Sequence, residues 1–182
     1  MYLIKRFINF VYETIEAGVF IGSLFIVLYL FVGFPTGVQG SSMEPTLHTD
    51  DRIFVSRISY KFESIKRDDI VVIQSPTNPD IWFIKRVIGL PKDTILFKEE
   101  RVYINSHLLE EPFIKVSTNL WENGFLKENT PYIIPEDSLF IMGDNRPHSS
   151  DSRQFGTIPL SAVIGKAIYR YFPSDKVGWL NK

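Results

Sequence analysis

Residues 17–34 carry no charged side chain and are almost wholly apolar, running through Phe20, Leu24, Phe25, Ile26 and Leu30 to Phe34, where Pro35 ends the run. As a helix rising about 1.5 Å per residue, such a stretch reaches roughly 27 Å, close to the ~30 Å of a bilayer's hydrocarbon core. Upstream, Phe7, Phe10, Val11 and Ile15 give an amphipathic stretch that extends the helix or lies at the interface. Three readings are open. A cleaved signal peptide usually has a shorter apolar core, and only Val38-Gln39-Gly40 offers a weak small-residue site. A helix apolar all round can also be buried in a soluble core. A retained anchor suits the length and the missing charge. Lys5 and Arg6 precede the run, whereas residues 35–51 hold no Lys or Arg. The positive-inside rule then keeps the N-terminus cytoplasmic and puts the chain beyond Phe34 on the far side.

The expectation is a single-pass protein of the cell (plasma or inner) membrane. It has a cytoplasmic or interfacial leader at 1–16, a transmembrane anchor at 17–34 and an extracytoplasmic β-domain at 35–182. Strand signals, short β-branched and aromatic runs, occur at 52–55, 70–73, 82–88, 101–104, 138–142 and 162–171, with Gly165 a possible bulge. Turn clusters such as Pro76-Thr77-Asn78-Pro79, Gly89-Leu90-Pro91 and Gly143-Asp144-Asn145 separate them. No long helical period occurs after Phe34, so the fold class is mainly β. Residues 110–135, broken by Asn119, Asn123, Gly124 and Asn129, read as an irregular surface insertion without legible function. The net charge of -1, from 20 basic and 21 acidic residues, gives no polybasic face for nucleic acid. The absence of cysteine excludes a thiol nucleophile, disulfides and thiolate zinc sites.

Just past the apolar run comes Gly40-Ser41-Ser42-Met43-Glu44-Pro45-Thr46-Leu47. Taken alone, Ser42 is an ordinary loop serine, because a hydroxyl needs a base before it becomes a nucleophile. His148, bracketed by Asp144 and Asp151, leaves a Ser-His-Asp arrangement open. The other available base is a lysine whose pKa burial has lowered. Most lysines sit among polar neighbours, but Lys85 lies inside a strand, on one face with Ile81, Phe83 and Val87. Arg86 takes the opposite face with Trp82, Ile84 and Ile88, and a guanidinium does not deprotonate. An edge lysine that snorkels to water is the plain alternative for Lys85.

The blocks together are more specific than any one of them. Ser42-Met43-Glu44-Pro45-Thr46-Leu47, Asp69-Ile70-Val71-Val72, Ile84-Lys85-Arg86-Val87-Ile88-Gly89, and Gly143-Asp144-Asn145-Arg146 with Ser149, Asp151-Ser152-Arg153 and Phe155-Gly156 form an ordered set. That set resembles the type I signal peptidases, Ser/Lys endopeptidases that remove signal peptides from exported proteins. The resemblance implies an antiparallel β-domain on a membrane helix, with Ser42 as nucleophile and Lys85 as general base. It also implies Ser149 as the serine that orients the lysine amine, and Asp144, Arg146, Asp151 and Arg153 as a supporting ion-pair group. Met43, Leu47, Val72 and Ile84 are the expected walls of shallow pockets for an Ala-x-Ala end. The implied partners are signal peptides of secreted preproteins and the lipid bilayer, with no metal or organic cofactor. Two departures stand out. Where some relatives have a serine that helps bind the oxyanion, this chain has Gly40, so the Ser42 N–H can still donate and a second backbone or water donor is left open. Only about fifty residues separate Asp93 from Gly143, so the extra domain of larger relatives shrinks to a short insertion. A peptidase with one dedicated substrate and a non-catalytic membrane-tethered binding domain remain as alternatives.

Overall fold

The computed structural model describes residues 2–180. Met1 of the expected leader and the last two residues of the expected 35–182 domain lie outside the described residues. A continuous helix, α1 (Tyr2–Phe31), joins the expected leader to the apolar run, buries no side chain against the rest of the chain, and is long and apolar enough to cross a membrane.

The helix stops short of the expected limit at Phe34. Val32 closes the last turn on the Leu28 carbonyl (2.9 Å), and its own carbonyl accepts from the Arg57 and Ile58 N–H groups (2.9 and 3.2 Å). Those two donors satisfy a carbonyl that a helix end leaves free. Pro35 could not continue the ladder in any case. The chain instead enters β1 (Gly33–Gly37), paired antiparallel with β2 (Arg52–Ser56) from Gly33↔Ser56 to Gly37↔Arg52. Phe34 is 2% exposed, under the Arg57 guanidinium at 4.8 Å and beside Trp82 at 5.4 Å. The last residues of the expected anchor are therefore sheet and core. The uncharged helical part, 17–31, spans only about 22 Å. A full ~30 Å crossing would need the preceding turn as well, which carries Glu13 and Glu16 beside Tyr12 and Ile15.

After β2 and the single-turn α2 (Ser59–Phe62) come β3 (Ile70–Gln74), β4 (Trp82–Gly89), β5 (Thr94–Lys98) and β6 (Arg101–Ile104). Next are β7 (His107–Leu108), β8 (Tyr132–Ile133), β9 (Ser138–Met142) and the single-turn α3 (Ser152–Phe155). The chain ends in β10 (Ile158–Pro159), β11 (Val163–Phe172) and β12 (Gly178–Trp179). One antiparallel sheet has the order β1-β2-β11-β3-β4-β9-β10, with β12 on β11; the second is β7-β6-β5-β8. The mainly β expectation holds. Its six strands correspond to β2, β3, β4, β6, β9 and β11, and the ladder of β11 on β3 shifts register between Val163 and Gly165, where the bulge was expected. The sequence pattern hides β1 because it lies inside the apolar run, and β7, β8, β10 and β12 because two residues show no period. In β5 the alternation was there to read, with Ile95 and Phe97 inward.

β4 runs through the middle of the packing. Ile84 joins the cluster of Phe34, Met43, Leu47, Ile53 and Val72; Val87 joins that of Val71, Ile73 and Ile141; Ile88 joins that of Ile95, Phe97 and Phe140. Lys85 and Arg86 thus sit where three apolar clusters meet. Residues 110–135 are more than a surface excursion. Phe113, Leu120 and Leu126 pack on the Ile88 cluster, and Thr118 is buried.

Phe34→Ala should remove about 3–5 kcal/mol of stability by opening a cavity in the β-domain. Phe25→Ala, on the exposed face of α1, should leave the domain unchanged. Urea unfolding of the full chain in detergent, monitored by tryptophan fluorescence, measures both.

Candidate active site

The loop after β1 is shaped by one glycine and two buried side chains. Gly40 has φ +86°, a left-handed conformation that costs glycine little. Beyond it the Glu44 N–H donates to the Ser41 carbonyl (3.1 Å) and the Leu47 N–H to that of Met43 (2.9 Å), making a compact turn. Met43 and Leu47 plug this turn into the core at 1% and 0% exposure. Ser42, between Ser41 and Met43, stays half-buried at the surface.

Lys85 comes up from β4, opposite Val71 in the ladder with β3. Its Nζ lies 2.9 Å from Ser42 Oγ and donates to the Ile84 carbonyl at 3.1 Å, and the Phe83 ring is 5.0 Å away. Burial pushes the amine pKa down from 10.5 to about 8, against the attraction of Asp151 and Asp144 and with a smaller downward push from Arg153. Water is scarce there, and an ammonium is therefore costly. His148, by contrast, faces Asn145 Oδ1 (3.2 Å) and is not the partner of Ser42. Among the described residues no group of three or more His, Cys, Asp or Glu side chains is placed to hold a metal ion.

The segment after β9 closes the far side. Asp144 accepts from Arg86 Nε and Nη2 (2.9 and 2.6 Å) and from Thr46 Oγ1 (2.5 Å), tying β4 to the Ser42 loop. Asp151 accepts from Arg153 Nε and Nη2 (2.9 and 2.8 Å) and from the Gly143 N–H (3.0 Å). The four residues expected as one ion-pair group are thus divided. Asp151 and Arg153 pair with each other, but Asp144 pairs with Arg86, and Arg146 with Glu111 and Thr118 from the 110–135 segment. The register explains this: Arg86 stands opposite Met142, one residue from Gly143, whereas Arg146 turns back to bond the Gly143 carbonyl (3.1 Å). Arg86, Thr46, Glu111 and Thr118 escape a reading of the sequence alone. Arg86 is in plain view beside Lys85, but its partner lies 58 positions away.

Ser149 is 1% exposed, and among the described residues its hydroxyl has no hydrogen-bond partner. A Cβ on Gly143 would run into both Ser149 Oγ and the Ser42 carbonyl, so only glycine lets these two approach. A cavity of about 330 Å³ opens beside Ser42 and Lys85, lined by Thr36, Gly37, Val38, Gln39 and Gly40 on one side and by Trp82, Phe83 and Ile84 on the other. Met43 and Val72 also line it. Of the four expected wall residues Leu47 is the exception: it serves the core at 0% exposure and does not face the cavity.

The family described as Signal peptidase, peptidase S26 matches residues 11–172 of this chain. Signal peptidase I of Bacillus licheniformis is 34% identical over 93% of this chain and 92% of its own length. Signal peptidase I of Bacillus caldolyticus is 36% identical over 80% of this chain and 83% of its own. A crystal structure of a signal peptidase I from Enterococcus faecalis, 31% identical, covers 57% of this chain and 97% of its own with a TM-score of 0.46.

Arg86→Ala should cost about 3–5 kcal/mol, because it strands the buried Asp144 carboxylate. Adding Asp144→Ala should recover part of that loss rather than double it, since the two groups form one network. A double-mutant cycle by urea unfolding gives the coupling directly.

Proposed function

The chain belongs to the signal peptidase family, peptidase S26, and is a serine endopeptidase that removes signal peptides from preproteins; we propose that Ser42 is its nucleophile and Lys85 its general base. The observation that carries the assignment is the 2.9 Å approach of Lys85 Nζ to Ser42 Oγ at the rim of a cavity. With one N–H committed to the Ile84 carbonyl, a neutral amine can turn its lone pair to the serine hydroxyl.

That pair sets the order of the steps. Ser42 Oγ attacks the scissile carbonyl while Lys85 takes its proton, and the Ser42 N–H faces the developing oxyanion. Collapse returns the proton to the departing amine and leaves an acyl ester on Ser42. Neutral Lys85 then takes a proton from water, whose hydroxide releases the signal-peptide end. Ser149, with its hydroxyl free of other partners, is the group we assign to orient the amine in the reacting complex.

The substrate lies in the cavity as an added strand. Among the described residues β1 pairs only with β2, and the stretch of β4 from Trp82 to Lys85 only with β3, so two open edges face each other across the cavity. An extended chain bonds to such edges through its backbone. Met43, Val72 and Ile84 leave room for small side chains, which favours an Ala-x-Ala end. α1 crosses the membrane with its N-terminus cytoplasmic. From Val32 to Ser42 the chain reaches at most about 35 Å, which keeps the nucleophile near the outer surface where preproteins emerge.

Ser42→Ala and Lys85→Ala should each abolish cleavage of an Ala-x-Ala preprotein in a gel-based assay. Lys85→Met should do the same while raising stability at neutral pH by about 2–4 kcal/mol, because it removes a buried ammonium. Intact cleavage by either alanine variant would end the dyad assignment, and a panel of unrelated preproteins distinguishes broad from dedicated cleavage.

The pH profile checks the base. Because burial lowers the amine pKa to about 8, the neutral form gains with rising pH and kcat/KM should climb through that value to a plateau. A profile flat from acid to alkali would contradict a titrating lysine base.

A further inference from the structure

Two consecutive carbonyls of the nucleophile loop are held by one residue of the facing segment. The Asn145 N–H donates to the Ser42 carbonyl (3.0 Å), and its side-chain Nδ2 donates to the Ser41 carbonyl (3.1 Å). On its other side Asn145 Oδ1 meets His148 Nδ1 at 3.2 Å, and the His148 N–H donates to the Asn145 carbonyl (3.0 Å). Neither side chain reaches Ser42 Oγ or Lys85 Nζ, and neither takes part in the proton transfers of the dyad.

The geometry points to Asn145 as a positioning residue that aims the Ser42 N–H at the oxyanion, with His148 pinning its amide; this rests on the peptidase assignment of Ser42 and Lys85. The Ser41–Ser42 peptide is trans, and in a planar trans peptide the carbonyl and the following N–H point in opposite directions. Holding the Ser41 carbonyl toward Asn145 therefore turns the Ser42 N–H away from it. Asn145 does not line the cavity, whereas Ser42 and Gly40 do, so the N–H is turned to the cavity side. Among the described residues that N–H has no acceptor of its own, as an oxyanion donor requires. Gly40 supplies no hydroxyl to share the load, so the aim of this one donor matters more here.

The Ser41 carbonyl, which can only accept, fixes which way the amide faces, with Nδ2 toward it and Oδ1 toward His148. With Nδ1 carrying a proton, the imidazole donates to Oδ1 and leaves Nδ2 toward Ser41. The reversed amide would set an oxygen against the Ser41 carbonyl and a nitrogen donor against a ring donor, losing both bonds.

The experiment uses the full chain in detergent with an Ala-x-Ala preprotein, a peptide boronic acid as tetrahedral probe, and thermal melting. Asn145→Asp, which keeps the shape but replaces the donor with an acceptor, and Asn145→Ala should both lower kcat by roughly 10²-fold with KM within about twofold. Boronate affinity should fall in parallel, because its oxygen occupies the oxyanion position, and the melting midpoint should stay put. His148→Leu should cost about tenfold in kcat, most of it regained by His148→Gln, whose amide can donate to Oδ1. The inference is overturned if the Asn145 variants turn over like the parent. It is equally overturned if their loss appears in KM or in the melting midpoint rather than in kcat and boronate affinity. A His148→Gln variant no better than His148→Leu removes the pin. If the parent chain itself cleaves no preprotein, the peptidase assignment and this inference fall together.

Discussion

An amine proposed to act as a base near neutral pH has to be kept dry, and the burial of Lys85 is the constraint on which the rest of the proposed site depends. Its environment is not uniformly suited to that task. Asp151 and Asp144 both pull the amine back toward its charged form. Each of these carboxylates is, however, already engaged by a guanidinium, Arg153 and Arg86 respectively. The pairing blunts the field that two bare carboxylates would place on the lysine. The ion pairs beside the dyad therefore do more than hold loops: they let acidic anchor points stand near a base that must be neutral. Arg146 is engaged in turn by Glu111.

The same groups solve the positioning problem. The proposed nucleophile and base come from segments 43 residues apart. Asp144 clamps Arg86, the neighbour of Lys85, and Thr46, which lies in the Ser42 turn, so one carboxylate fixes both halves of the proposed dyad. Asn145, next in sequence, holds the carbonyls of Ser41 and Ser42. The close approach of this segment is possible because Gly143 has no side chain. Met43 and Leu47 complete the clamp from below, and Leu47 packs in the core away from the cavity.

Much of this was legible in one dimension. The apolar run, six of the eight longer strands, the bulge at Gly165 and the unusual placement of Lys85 inside a strand all come from periodicity and composition. What escaped has a common physical cause. Asp144 with Arg86, and Arg146 with Glu111, are choices among several equally good charge pairs, and sequence proximity cannot rank them. The end of α1 was misplaced because apolar residues suit a lipid-facing helix and a buried strand equally well. Phe34 is decided by the Arg57 and Ile58 N–H groups that capture the Val32 carbonyl.

The sequence by itself determined that the chain has a membrane-length apolar helix, a mainly β domain, and a serine and a strand lysine within blocks that resemble signal peptidases. These are properties of local pattern, and local pattern survives in one dimension. Tertiary structure decided which charges pair, which wall residues face the cavity, and where Ser42 and Lys85 meet. Those outcomes depend on strand register and on groups brought together from distant positions, and only a folded chain with its water excluded can rank them.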